Sequence, residues 1–146
     1  MLTQQLSDYW SKLGLHVAMA NSPDDIRRFE TQWHATLPLD MREYFLRIGG
    51  MAENEIDPET LFSFWPLHLL SPVTDLMPNR SAEIFKGYYA FADHSIMVFV
   101  YGINLVSGSA SFGSITTFAG DQLIRLAPSF TEFIRIYLTN PFRLVP

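Results

Sequence analysis

The feature that most constrains this chain is a change of hydrophobic period near its middle. Up to residue 50 apolar residues recur every three or four positions, and beyond residue 60 they come in short runs separated by turn residues. The first pattern lines one face of a helix and the second fills strands, so the chain starts helical and then builds a sheet. Leu2, Leu6, Tyr9, Trp10 and Leu13 form the first helical stripe, with Gly14 as its stop. Ser22-Pro23-Asp24-Asp25 starts a second helix: a serine that can cap, a proline suited to the first turn, and two carboxylates at the positive end of the dipole. Ile26, Phe29 and Trp33 share its inner face, and Asp24 is spaced to pair with Arg28. Pro38 opens a third helix with Met41, Tyr44, Phe45 and Ile48 inward, ended by Gly49-Gly50.

Strands are expected at residues 62–67, 88–92, 95–105, 114–118 and 122–126. The run 95–105 is apolar on both faces, as in a central strand covered on both sides. Ser107-Gly108-Ser109 reads as the hairpin turn to the strand at 114–118, and Gly120-Asp121 as the next turn. Phe130, Phe133, Ile134, Tyr137 and Leu138 make a closing helix, with Ser129 and Glu132 spaced for a capping box and Pro141 beyond its end. Helices, then strands, then a packing helix is an α+β order. The expectation is a single domain over residues 1–146, its N-terminal helices and C-terminal helix packed on a mostly antiparallel sheet. Trp33, Phe45, Phe99, Phe130 and Phe133 are the expected core aromatics.

Composition narrows the function. With 146 residues, 48% hydrophobic and 17% charged, the chain suits one globular core. The absence of cysteine excludes disulfides and thiolate metal sites. The first ten residues lack a basic stretch followed by an apolar run, and the most apolar segment, 96–106, is too short to span a bilayer. A cytoplasmic location and no membrane association are expected. The net charge is −5, and residues 51–80 carry −4 of it through Glu53, Glu55, Asp57, Glu59 and Asp75 against Arg80. A basic stripe for phosphates is missing, so nucleic acid is not an expected partner. An acidic patch suits a basic protein instead.

Chemical motifs are few. His16, His34, His68 and His94 are not spaced three or four apart, so no metal site and no other cofactor is expected. Asp93-His94-Ser95 holds three triad residue types, but neighbours point apart and triads assemble from distant segments. Asp93 and His94 are therefore weak pocket candidates, and an Asp-containing turn between strands accounts for the tripeptide. Gly108-x-x-x-x-Gly113-Ser114 lacks the lysine of a phosphate loop. The preferred interface candidate is residues 53–65, where Glu53, Glu55, Asp57 and Glu59 are followed by Trp65. Its plain alternative is a solvated acidic loop followed by strand core. The interface reading joins rim charges for encounter to an aromatic anchor.

Three stretches resemble the SUKH superfamily in order and spacing. The first is Ile26-x-x-Phe29-Glu30, then Leu37-Pro38-x-x-Met41-x-x-Tyr44-Phe45-Leu46, then Gly49-Gly50 where many relatives carry Asn-Gly. The second is Phe91-Ala92-Asp93 with the strand 97–105 and Gly113-Ser114-Ile115. The third is Ala127-Pro128-Ser129-Phe130-x-x-Phe133-Ile134. The resemblance implies helices against a sheet and a non-enzymatic binding role, as in bacterial immunity proteins that neutralise toxins and in fungal regulators of cell-wall synthesis. It carries over no catalytic residues. The leading expectation is an immunity protein that binds a cognate toxin with a basic surface. The alternatives are a regulatory scaffold in signalling or envelope synthesis, and a hydrolase or transferase using Asp93 and His94.

Overall fold

The computed structural model describes residues 2–76 and 82–146. Three helices come first: α1 (Leu2–Lys12), α2 (Pro23–Trp33) and α3 (Leu39–Arg47). The start of α2 is a full capping box, the Ser22 hydroxyl accepting the Asp25 N–H and the Asp25 carboxylate accepting the Ser22 N–H. That cap fixes the Asp25 carboxylate beside Arg28, so Arg28 pairs with Asp25 and leaves the expected partner, Asp24, to Arg27. Glu30 then ties α2 to α3 by accepting from the Leu37 N–H and the Arg42 guanidinium, both at 2.8 Å.

Helix α3 ends at Arg47, two residues before the glycine pair expected to stop it. The glycines serve a backbone crossing instead. A Cβ on Gly49 would lie 2.2 Å from the Met19 carbonyl oxygen, and Gly50, at φ +88°, sits under the Trp65 carbonyl. Only bare backbone fits between these neighbours.

The sheet contains β1 (Phe62–Phe64), β2 (Ser71–Pro72), β3 (Tyr88–His94), β4 (Phe99–Asn104), β5 (Ile115–Ala119) and β6 (Gln122–Ala127). All pairings are antiparallel, in the order β1-β3-β4-β5-β6, with β2 also on β3. The expected β4–β5 pairing is present, with Tyr101 opposite Thr117 and Ile103 opposite Ile115. Three boundaries differ. The strand expected over 62–67 ends at Phe64, and Leu67–Leu69 is a single 3-10 turn. Residues 95–98 are a turn, not strand: β3 runs on to His94, and the chain reverses with Ser95, Ile96 and Met97 all left-handed, at φ 55°, 53° and 69°. The link to β5 is a longer loop, 105–114, in place of a tight Ser-Gly-Ser turn. The Asn104 side chain organises it, accepting from the Val106 N–H and donating to Ser111.

One face of the sheet carries the main core. Helices α1, α2, α3 and the closing α6 (Phe130–Thr139) supply Leu6, Trp10, Ile26, Phe29, Tyr44, Phe45, Phe130 and Phe133 to it. Phe133 is fully buried, with ring centroids of Phe64, Phe91 and Tyr101 5.3–5.9 Å away. Phe45 and Phe130 are buried as expected, but Trp33 and Phe99 are only partly so. Each ends an element at the core's margin, Trp33 meeting Tyr89 and Phe99 meeting His94. Ser129 caps α6 through the Glu132 N–H, while the Glu132 carboxylate turns to Arg135, so half of the expected box forms. The other face has a smaller cluster. Val73 of α4 (Val73–Leu76) and Phe85 of α5 (Ala82–Phe85) cover Ala90, Val100 and Phe118. Strand β4 is thus apolar on both sides, as its sequence requires.

Candidate functional site

The smaller cover leaves part of that second face open. Strand alternation puts Phe62 and Phe64 of β1 in the main core and turns Ser63, with Trp65 after it, to the opposite side. In β3 the register shifts between Ala90 and Ala92, a bulge that inserts Phe91. Phe91 and Ala92 both join the main core, and the phase of every later residue is reversed. Asp93 therefore faces the open side, while His94 packs edge-on against Phe62 with ring centroids 4.8 Å apart.

The result is a groove of about 390 Å³. Its floor is Ser63, Trp65 and Asp93, one wall is the loop 52–56, and the other holds Leu69, Ser71 and Leu76. Ile96 and Met97, from the left-handed turn, form its lip. That turn leaves Ile96 76% exposed, Met97 46% and Val98 65%. A β-branched residue at positive φ is costly, and here it holds an apolar tip in water. Ser63 Oγ donates to the Glu55 carbonyl at 2.7 Å and pins the loop to the floor.

The structure brings together Glu53, Glu55, Trp65 and Asp93 of the residues singled out in the sequence. Glu53 and Glu55 stand at the mouth, 3.8 Å from His68 and 2.7 Å from His16 respectively. Glu59 is exposed but lies outside the groove lining. Asp57 must be corrected: it is not a surface charge but a fully buried one. Its carboxylate accepts from Tyr9 Oη at 3.0 Å, Tyr137 Oη at 2.5 Å and the N–H groups of Glu59 and Thr60. Trp10 Nε1 in turn donates to Tyr137 Oη, so Asp57 fastens α1 and α6 to the start of β1. Burial opposes its charge, but these donors outweigh it and hold the carboxyl below its usual range. Arg80 lies outside the described residues.

Asp93 is 8% exposed, and burial pushes its carboxyl above the usual range. The Met97 N–H, the Trp65 side chain and the charge of His94 offset this only in part. Asp93 and His94 do not form a catalytic pair. Side chains next to each other on a strand leave opposite faces, and His94 Nδ1, the atom a triad aspartate would hold, is 3.0 Å from Ser95 Oγ instead. Among the described residues no group of three His, Asp or Glu side chains is placed to hold a metal ion. None of the described helices is long and apolar enough to cross a membrane.

Sequence reasoning missed the groove's apolar wall and lip: Ile56, Leu69, Leu76, Ile96 and Met97. One signal was available. An apolar run over 95–105 is about twice a usual strand's length, which argues for a chain reversal at one end.

The architecture defines an antiparallel α+β protein with helices sealing one sheet face and an open, acid-rimmed groove on the other. A model of the SMI1 / KNR4 family (SUKH-1) matches residues 20–136, and the chain belongs to that family. The match takes in the whole groove and leaves α1 outside. No curated relative matches the chain.

Proposed function

We propose that this protein is a one-domain, non-enzymatic immunity protein that acts in the cytoplasm by binding a cognate toxin and occluding it. Family membership supports a binding role, and one observation carries the choice of surface. The groove joins an aromatic floor, Trp65, to an exposed apolar lip, Ile96 and Met97, with the carboxylates Glu53 and Glu55 at its mouth. Exposed apolar side chains in a strained turn contribute little to folding, but they suit the centre of an interface. The acids at the rim suit a basic partner, which they would steer on approach. The opposed orientations of Asp93 and His94 count against the hydrolase or transferase reading.

The experiment is co-expression with the product of the adjacent gene, followed by association kinetics on the purified pair. Reversing Glu53 and Glu55 to lysine is expected to slow association about tenfold at low salt, and less at high salt. A Met97→Ser variant is expected to speed dissociation instead, since it removes desolvated contact area. Unchanged kinetics in both variants with a bound partner would remove this face from the interface.

A further inference from the structure

We propose that the groove receives an arginine side chain of the protein partner, its guanidinium paired with the Asp93 carboxylate and stacked against the Trp65 indole. The inference rests on the docking reading above and adds the chemistry of the anchor. Its ground is charge complementarity within a shaped cavity. Three carboxylates, Glu53, Glu55 and Asp93, line the groove, and no lysine or arginine among the described residues does so. Among the described residues, the two at the mouth are paired with the imidazoles of His68 and His16, which carry charge only when protonated. The third lies on the floor, 8% exposed, facing N–H donors from Trp65 and Met97 and the nearby His94, and among the described residues no lysine or arginine.

A carboxylate so far from water is costly without a counter-charge, and the groove leads from solvent to it. An apolar side chain seated there would seal Asp93 off uncompensated, so a purely apolar anchor is disfavoured. A cation is favoured, and the floor discriminates between the two kinds. Guanidinium is planar, weakly hydrated and stacks on an indole face, while its fork of donors matches two carboxylate oxygens. The ammonium of lysine stays strongly hydrated and has no plane to stack. Leu69 and Met97 both line the groove and offer apolar surface to the methylene stem of such a side chain.

The test separates the anchor from the docking surface. N-acetyl-arginine amide is titrated into ¹⁵N-labelled protein while the Trp65 indole resonance is followed, assigned by its absence in Trp65→Phe. A saturable shift with millimolar affinity is expected. The lysine counterpart should bind about tenfold more weakly. The citrulline counterpart, of the same shape without the charge, should produce no saturable shift. Asp93→Asn should abolish the arginine response. A response to citrulline equal to that to arginine, or none to arginine, would overturn the inference without any partner in hand.

With the partner bound, Asp93→Asn should lower affinity about 30-fold or more, the usual effect of truncating a buried charge pair across an interface. Wild-type affinity in Asp93→Asn together with loss of binding in Ile96→Ser/Met97→Ser would remove the arginine anchor and leave the docking surface standing. Wild-type affinity in both would remove the surface as well.

Discussion

Asp57 and Asp93 are both buried, yet the two faces of the sheet treat them in opposite ways. On the sealed face Asp57 has four donors from three parts of the chain, and its charge is better held than in water. On the open face Asp93 faces two N–H groups and a groove. The same residue type thus reports what each face is built for. One carboxylate completes the fold, and the other leaves the fold something to bind.

The difference is broken most severely on the sealed side. Phe133→Ala, at the meeting point of four aromatic rings, is expected to cost about 3–5 kcal/mol in denaturant unfolding. An unchanged midpoint would show that the aromatic layer does not hold the helices to the sheet. Asp57→Ala should cost about 3 kcal/mol, since it strands two tyrosine hydroxyls and two N–H groups. Its signature is in the pH dependence. A depressed folded value means that Asp57 contributes stability in full above the unfolded carboxylate value of about 3.9, and loses it as pH falls through the folded one. The variant should therefore have a flatter acid limb than wild type.

On the open side the signs reverse. The raised folded value of Asp93 contributes stability in full below about 3.9, and that contribution is lost as pH rises through the folded value. At neutral pH the charge is a burden, so Asp93→Asn should be neutral to stabilising, within about 1 kcal/mol. A loss as large as that of Asp57→Ala would erase the contrast. Ile96→Gly sharpens it: relief of the left-handed isoleucine should raise stability by about 0.5–1 kcal/mol while weakening partner binding. The smallest effect belongs to the rim. Glu53, Glu55 and Glu59 reversed together to lysine should change stability by no more than about 0.5 kcal/mol, read from the same denaturant curves.

Much of the fold was legible because helix stripes and caps are local. Ser22 with Asp25, the inward faces of α1 to α3 and α6, and the β4–β5 pairing follow from spacing alone. The acidic segment was legible as a segment but not residue by residue. Beyond its local turn bonds to the Glu59 and Thr60 N–H groups, Asp57 is set apart by Tyr9 and Tyr137, which are 48 and 80 positions away in the chain. No local pattern encodes that meeting. The groove lip was hidden for a different reason. Ile96, Met97 and Val98 are good strand formers, so propensity favoured extending the strand, and the reversal set by β3 overrode it.

The extra residue at Phe91 acts on β3 as a frameshift acts on a reading frame. Before it, odd-numbered residues belong to the interior; after it, even-numbered ones do. Straightening the bulge with every residue kept would leave the composition unchanged, yet it would direct a carboxylate into the aromatic layer and an imidazole into the groove. What the open face presents is therefore set by where the strand's pairing is irregular and not only by side-chain identity. A lineage that lost the bulge while keeping its residues would exchange its binding chemistry in a single step, while point substitutions at Asp93 could tune it gradually without disturbing the layer beneath.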